Sequence, residues 1–128
     1  MRKLFTSTLY VKVYANKISV KNVSDNGNWV SACPCPDIVF TTERLLVGNF
    51  STAESLLRKL VKAAIPKALF TKRPMIVMQP VEKIEGGLSE VEERIFKELA
   101  LGAGAIQVAL HVGNELTDSE VAVLINNV

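Results

Sequence analysis

The stretch from Arg73 to Val112 limits the possible folds more than any other part of the chain. It holds an unbroken apolar run, Met75-Ile76-Val77-Met78, a turn through Gly86-Gly87, a helical pattern from Glu90 towards Gly102, and a second apolar run from Ile106 to Val112. Neither run alternates apolar with polar residues, so each strand expects cover on both faces, and an amphipathic helix between two such strands is the βαβ crossover that joins parallel neighbours. Ser89 and Glu92 specify the helix start as a capping box, the serine oxygen accepting from a backbone N–H three residues on while the glutamate reaches back to the cap. Val91, Ile95, Leu99 and Ala103 recur every four residues and are expected on one inward face, with Glu92, Glu93, Lys97 and Glu98 largely on others.

The segments before and after this unit supply the rest of a sheet. Leu9, Val11 and Val13 alternate with Tyr10, Lys12 and Tyr14; after Ala15-Asn16-Lys17, Ile18 and Val20 alternate with Ser19 and Lys21. Period two on both sides of a short turn predicts a hairpin with one buried and one wet face. Ser24-Asp25-Asn26-Gly27-Asn28 is a second turn leading into a third strand over Trp29 to Cys33. Pro34, Pro36 and Asp37 then interrupt pairing, and Ile38-Val39-Phe40 and Leu45-Leu46-Val47 are expected as short extended pieces. Ser51 to Glu54 has capping-box spacing before a stripe of Leu56, Leu57, Leu60, Val61 and Ala64 that stops near Pro66, and Thr117 to Glu120 opens a last helix with Val121, Leu124 and Ile125 inward.

The expected fold class is therefore α/β, with the order β-β-β-α-β-α-β-α and helices packed on a mixed sheet. A chain of 128 residues is one domain, long enough to hold a core without a metal or disulfide. Fifteen basic and thirteen acidic residues leave a net charge of +2, too small to argue for nucleic acid or a strongly anionic partner. Cys33 and Cys35, separated by Pro34, read as reduced cytosolic thiols rather than a disulfide or zinc site. The basic start Met1 to Phe5 is not followed by the apolar run of a signal peptide, and no segment reaches the length of a membrane span.

The element order is the ribonuclease H-like topology on which actin-like ATPases build each half. Arg73-Pro74-Met75-Ile76-Val77-Met78-Gln79-Pro80-Val81, Gly87-Leu88-Ser89-Glu90-Val91-Glu92-Glu93-Arg94, Ala103-Gly104-Ala105 and Val108-Ala109-Leu110 resemble, over about forty residues, a strand, helix and strand of the rod-shape-determining MreB family, the bacterial actins. The resemblance implies only the first subdomain of that family. Between Gly48 and Ser51 the chain passes almost directly into a helix where the family inserts a second subdomain, and the family's other half would follow Val128, so one wall of a nucleotide cleft is expected.

The resemblance also implies where chemistry would sit. The family's first hairpin carries an Asp-x-Gly-Thr turn for magnesium and phosphate; here Lys12 falls at the aspartate, Tyr14 at the glycine and Ala15 at the threonine, and a tyrosine there blocks close backbone approach to a phosphate. The family's Glu-Glu-Pro, which orients the attacking water, is matched by Val112-Gly113-Asn114. No catalytic, cofactor-binding or metal-binding residue is expected, and no cofactor. Other features have plain structural readings: His111 near Glu115 or Asp118 is a strand-end residue rather than an acid–base pair; Lys12, Lys17 and Lys21 beside Tyr10 and Tyr14 are solvated strand lysines rather than a base-stacking face; Glu85, Glu90 and Glu92 repel anions from the Gly86-Gly87 turn; and Met75 and Met78 fill the core.

The expected function is a non-enzymatic protein-interaction or assembly module of the bacterial cytoplasm, with a link to cell shape or the cytoskeleton implied by the resemblance. Its expected partner is a protein, either a second copy in a homodimer or an actin-like protein, with no nucleic acid and no membrane span. The alternatives are a nucleotide-binding ATPase fragment completed by another chain, or a nucleic-acid-binding ribonuclease H-like domain. Phe50, Leu116 and Val112 are the candidate interface residues, because the missing subdomains would otherwise cover them.

Overall fold

The computed structural model of the chain describes residues 6–25, 27–34, 38–67 and 72–128. Strand β1 (Thr8–Tyr14) turns back into β2 (Lys17–Asn22) through Ala15 and Asn16, with Asn16 at φ 52°, a left-handed conformation that asparagine tolerates. One turn of 3-10 helix (Val23–Asp25) precedes a short β3 (Val30–Ala32). Helix α1 (Phe50–Ala64), β4 (Met75–Pro80), α2 (Glu90–Gly102), β5 (Gln107–Leu110) and α3 (Asp118–Asn126) complete the order expected from the sequence.

The five strands form one mixed sheet in the order β3-β2-β1-β4-β5. β2 runs antiparallel to both β1 and β3, whereas β4 runs parallel to both β1 and β5. All six residues of β4 are buried, which is why its sequence does not alternate. On one face, α1 and α2 set Leu57, Leu60, Phe96 and Leu99 against Leu9, Val11, Ile76 and Met78. On the other, Val121 and Ile125 of α3 close over Tyr10, Met75, Val77 and Ala109.

That second layer corrects the expectation of a wet hairpin face. Tyr10 is 0% exposed because α3 covers the side of the sheet that the hairpin pattern alone leaves open, and Ser19, on the same side, is buried with its hydroxyl bonded to that of Ser31 at 2.6 Å. β1 is also the middle strand of the sheet, so Lys12 does not guard an edge. The expected face of α2 shifts too: Leu99 and Ala103 are buried, Ile95 is half-buried, and Val91 is 67% exposed, with Phe96 and Ala100 taking its place. At about 100° per residue, a repeat of exactly four drifts roughly 40° each step, so Val91 and Ala103 stand roughly 120° apart around the helix.

The caps divide in the same way. Ser89 and Glu92 form the complete capping box of α2, and Thr117 and Glu120 that of α3. The Ser51–Glu54 box does not form: α1 begins two residues earlier with Asn49 at its cap, whose side chain donates to the Val39 carbonyl at 2.7 Å, while Glu54 pairs with Arg58 at 3.2 Å. The pieces around Phe40 and Leu46 are not strands. They form a loop in which Gly48 and Asn49 N–H groups both donate to the Phe40 carbonyl, at 2.8 and 2.9 Å, and Phe40, Leu46 and Val47 enter the core from it. Met1 to Phe5, Asn26, Cys35, Pro36 and Asp37, all used in the sequence reading, lie outside the described residues.

Candidate functional site

Ligands of sheets with parallel strands bind beyond the carboxyl ends of those strands. Here that place is the tip of the β1–β2 hairpin together with the ends of β1 and β4, where Lys12 lies opposite Gln79 in the parallel register. The backbone donors of the tip are already engaged. Ala15 N–H donates to the Glu82 carboxylate at 2.7 Å, and Asn16 N–H donates to Thr41 Oγ1 at 2.9 Å. Asn16 Oδ1 in turn accepts from the N–H groups of Phe40 and Thr41, at 3.0 and 2.9 Å. A carboxylate therefore occupies the donor that a phosphate oxygen would need, and its charge repels a second anion.

On the α3 side of the same end, cations and aromatic rings alternate. Lys12 Nζ stands 4.6 Å from the Trp29 ring centre and 6.0 Å from that of Tyr14; Lys17 lies 4.6 Å from the Tyr14 ring and Lys21 5.2 Å from the Trp29 ring. Tyr10 packs its ring 5.2 Å from Trp29 at an interplanar angle of 55°. Two of the three ammonium groups also have acidic partners around the start of α3: Lys12 pairs with Glu115 just before the helix, and Lys21 with Asp118, its first residue, at 2.7 Å. Burial works to lower the Lys12 pKa, but its hydrogen bond to Glu115 and its contact with Tyr14 outweigh burial and hold it above the ordinary value.

Behind these groups, the Tyr10 hydroxyl donates to Gln79 Oε1 and accepts from the Leu116 N–H at 3.0 Å, and Gln79 Nε2 donates to the Gly113 carbonyl at 2.8 Å. Burial raises the Tyr10 pKa, with the Leu116 hydrogen bond and the Lys12 charge working against it. The network leaves Lys12 committed to a carboxylate, so it is poorly placed to act on a ligand. What the arrangement does directly is fasten α3 and its approach segment to the sheet.

The structure does not bring His111 together with Glu115 or Asp118. His111 Nε2 meets the Asn114 carbonyl at 2.7 Å, while both acids are used by lysines of the sheet. The lysines expected as solvated are half-buried against the rings. Cys33 is an exposed free thiol. Among the described residues, no three His, Cys, Asp or Glu side chains group as metal ligands, and no helix is long and apolar enough to cross a membrane.

The three candidate interface residues fare differently. Val112 is 42% exposed. Phe50 and Leu116, expected to lack cover, are each half-buried, Phe50 against the core beneath α1 and Leu116 against the Tyr10 cluster. The direct connection from Gly48 into α1 brings the first turn of the helix onto the core, so Phe50 finds cover within the chain. Beside it, Ile38 at 53% and Val39 at 43% exposure line an open groove with Gly48, Asn49 and Phe50.

Sequence reasoning missed Glu82, Thr41, Gln79 and Trp29. Gln79 carried a signal, being a polar residue within an otherwise apolar buried strand; Glu82 carried none. No family model matches the chain. Over 102 aligned residues it is 38% identical to the uncharacterized protein YjaA of Escherichia coli (strain K12), an alignment that covers 76% of each chain.

Proposed function

The chain belongs to the family of YjaA, and on that premise we propose that it is a non-enzymatic protein-interaction or assembly module of the bacterial cytoplasm, built on a degenerate actin-like subdomain. The strand order β3-β2-β1-β4-β5, with a parallel crossover on the antiparallel hairpin, supports a ribonuclease H-like reading of the fold. The observation that carries the functional half is the occupied hairpin tip: Glu82 holds the Ala15 N–H and Glu115 holds Lys12, so the backbone donor and the cation at the two positions that the resemblance sets against a phosphate are both engaged by carboxylates of the chain itself. Ile38 and Val39, exposed beside Phe50, supply apolar surface of the kind that marks a contact with another protein, a second copy or an actin-like chain.

Calorimetric titration of the purified chain with ATP and magnesium tests the first part. No saturable heat is expected, and micromolar binding overturns it. Light scattering of the parent and of an Ile38→Asp, Val39→Asp variant, alone and mixed with an actin-like protein, tests the second. A parent that stays monomeric and binds no such protein removes the interaction reading.

A further inference from the structure

At the opposite end of the sheet from the hairpin tip, the C-terminal half of α1, the segment entering β4 and the turn after α2 enclose a cavity of about 210 Å³. Four cationic side chains, Arg58, Lys62, Lys72 and Arg73, line it, and among the described residues no carboxylate does. Its apolar lining comes from Val61, Ile65, Pro74 and Ala103, of which all but Ile65 are buried. We infer that this cavity is a binding site for a small organic acid, an anionic carboxylate or phosphate head carried on a compact apolar body.

Two of the cations are fixed before any ligand arrives. Arg73 donates through Nε to the Gly104 carbonyl at 3.2 Å and through Nη2 to the Ala105 carbonyl at 2.7 Å. Arg58 Nη2 donates to the Gly102 carbonyl at 3.0 Å and pairs with Glu54 at 3.2 Å. A guanidinium carries five N–H donors, so Arg73 keeps three beyond the two that anchor it. Its planar fork suits carboxylate and phosphate oxygens, and its ordering cost is already met within the fold. Lys62 and Lys72, both exposed, add positive charge at the mouth.

The size selects the ligand class. The cavity is smaller than the roughly 300–1,000 Å³ of pockets that hold drug-sized molecules, which favours an acid of about ten heavy atoms over a nucleotide. The apolar lining distinguishes such an acid from a bare inorganic anion, which would gain nothing from Val61 or Pro74. The balance of head and body is thus set by two separate groups of residues.

The test is a set of nuclear magnetic resonance titrations of the full chain, labelled with nitrogen-15, using phenyl phosphate, benzoate and uncharged benzyl alcohol. The expected result is saturable shifts at the Lys62, Ile65, Ala103 and Gly104 amides with at least one acid, and binding at least about tenfold weaker with the alcohol. A Lys62→Gln, Lys72→Gln variant, altered only at exposed positions, should keep the parent spectrum and bind the acid about tenfold more weakly. Absence of saturable shifts at these amides with both acids, equal binding of the alcohol, or a double variant that binds as tightly as the parent overturns the inference.

Discussion

Replacing Tyr10 with Phe removes one buried oxygen and leaves the ring, its packing on Trp29 and the surrounding core in place. Two hydrogen bonds go with it, one to Gln79 Oε1 and one from the Leu116 N–H. At about 1 kcal/mol for each bond, the loss is about 2 kcal/mol, and more if Gln79, which is 2% exposed, keeps an unsatisfied oxygen. For a chain of 128 residues, an unfolding entropy of about 2.1 cal/mol/K per residue converts this into a fall in Tm of about 7 °C. Calorimetric melts of parent and variant near neutral pH measure it. A cycle with Gln79→Leu isolates the pair, which should couple by about 1 kcal/mol because the two side chains touch. A Tm within about 1 °C of the parent, or no coupling, would refute the idea that the hydroxyl ties the sheet to the segment before α3.

Three further outcomes are expected. Ser89→Ala should cost about 1 kcal/mol through loss of the α2 cap, read as a lower denaturant midpoint at unchanged slope. Gly48→Ala should cost about 1–3 kcal/mol, because a Cβ there would stand 2.1 Å from Thr42 Cγ2 and 2.8 Å from Thr42 Cβ, and a β-branched side chain cannot swing far. Stability should fall as pH rises through the alkaline range: Tyr10 and Lys12 have folded-state pKa values above their ordinary 10.0 and 10.5, so their contribution is complete below those values and is lost as pH climbs past the folded ones. A denaturation series across that range, compared with a Tyr10→Phe, Lys12→Met variant, should show a shallower alkaline decline in the variant.

Legibility in the sequence followed the range of the interactions. The boxes at Ser89 and Thr117 could be read because donor and acceptor lie three residues apart and nothing distant competes. Ser51 and Glu54 have the same spacing, yet Asn49 is held by Val39 and Phe40 across the loop, and that tertiary hold moves the start of α1. Period two in the hairpin told which residues share a face. It could not tell that α3, more than a hundred residues later for Tyr10, would bury that face. The contact of Glu82 with Ala15, 67 residues apart, left no local trace.

Asn16 sits at the tip of the hairpin, but its side chain belongs to a longer span. One amide oxygen holds the Phe40 and Thr41 N–H groups, and the Phe40 carbonyl holds those of Gly48 and Asn49, the residue that starts α1. Loosening any link removes the support of the next, so these amides should exchange with solvent in one cooperative opening rather than four independent ones. Ile38 and Val39 adjoin this relay directly. Any molecule that holds Ile38 and Val39 in place would slow exchange at the hairpin tip without touching it, so the tip would report on a surface it does not share.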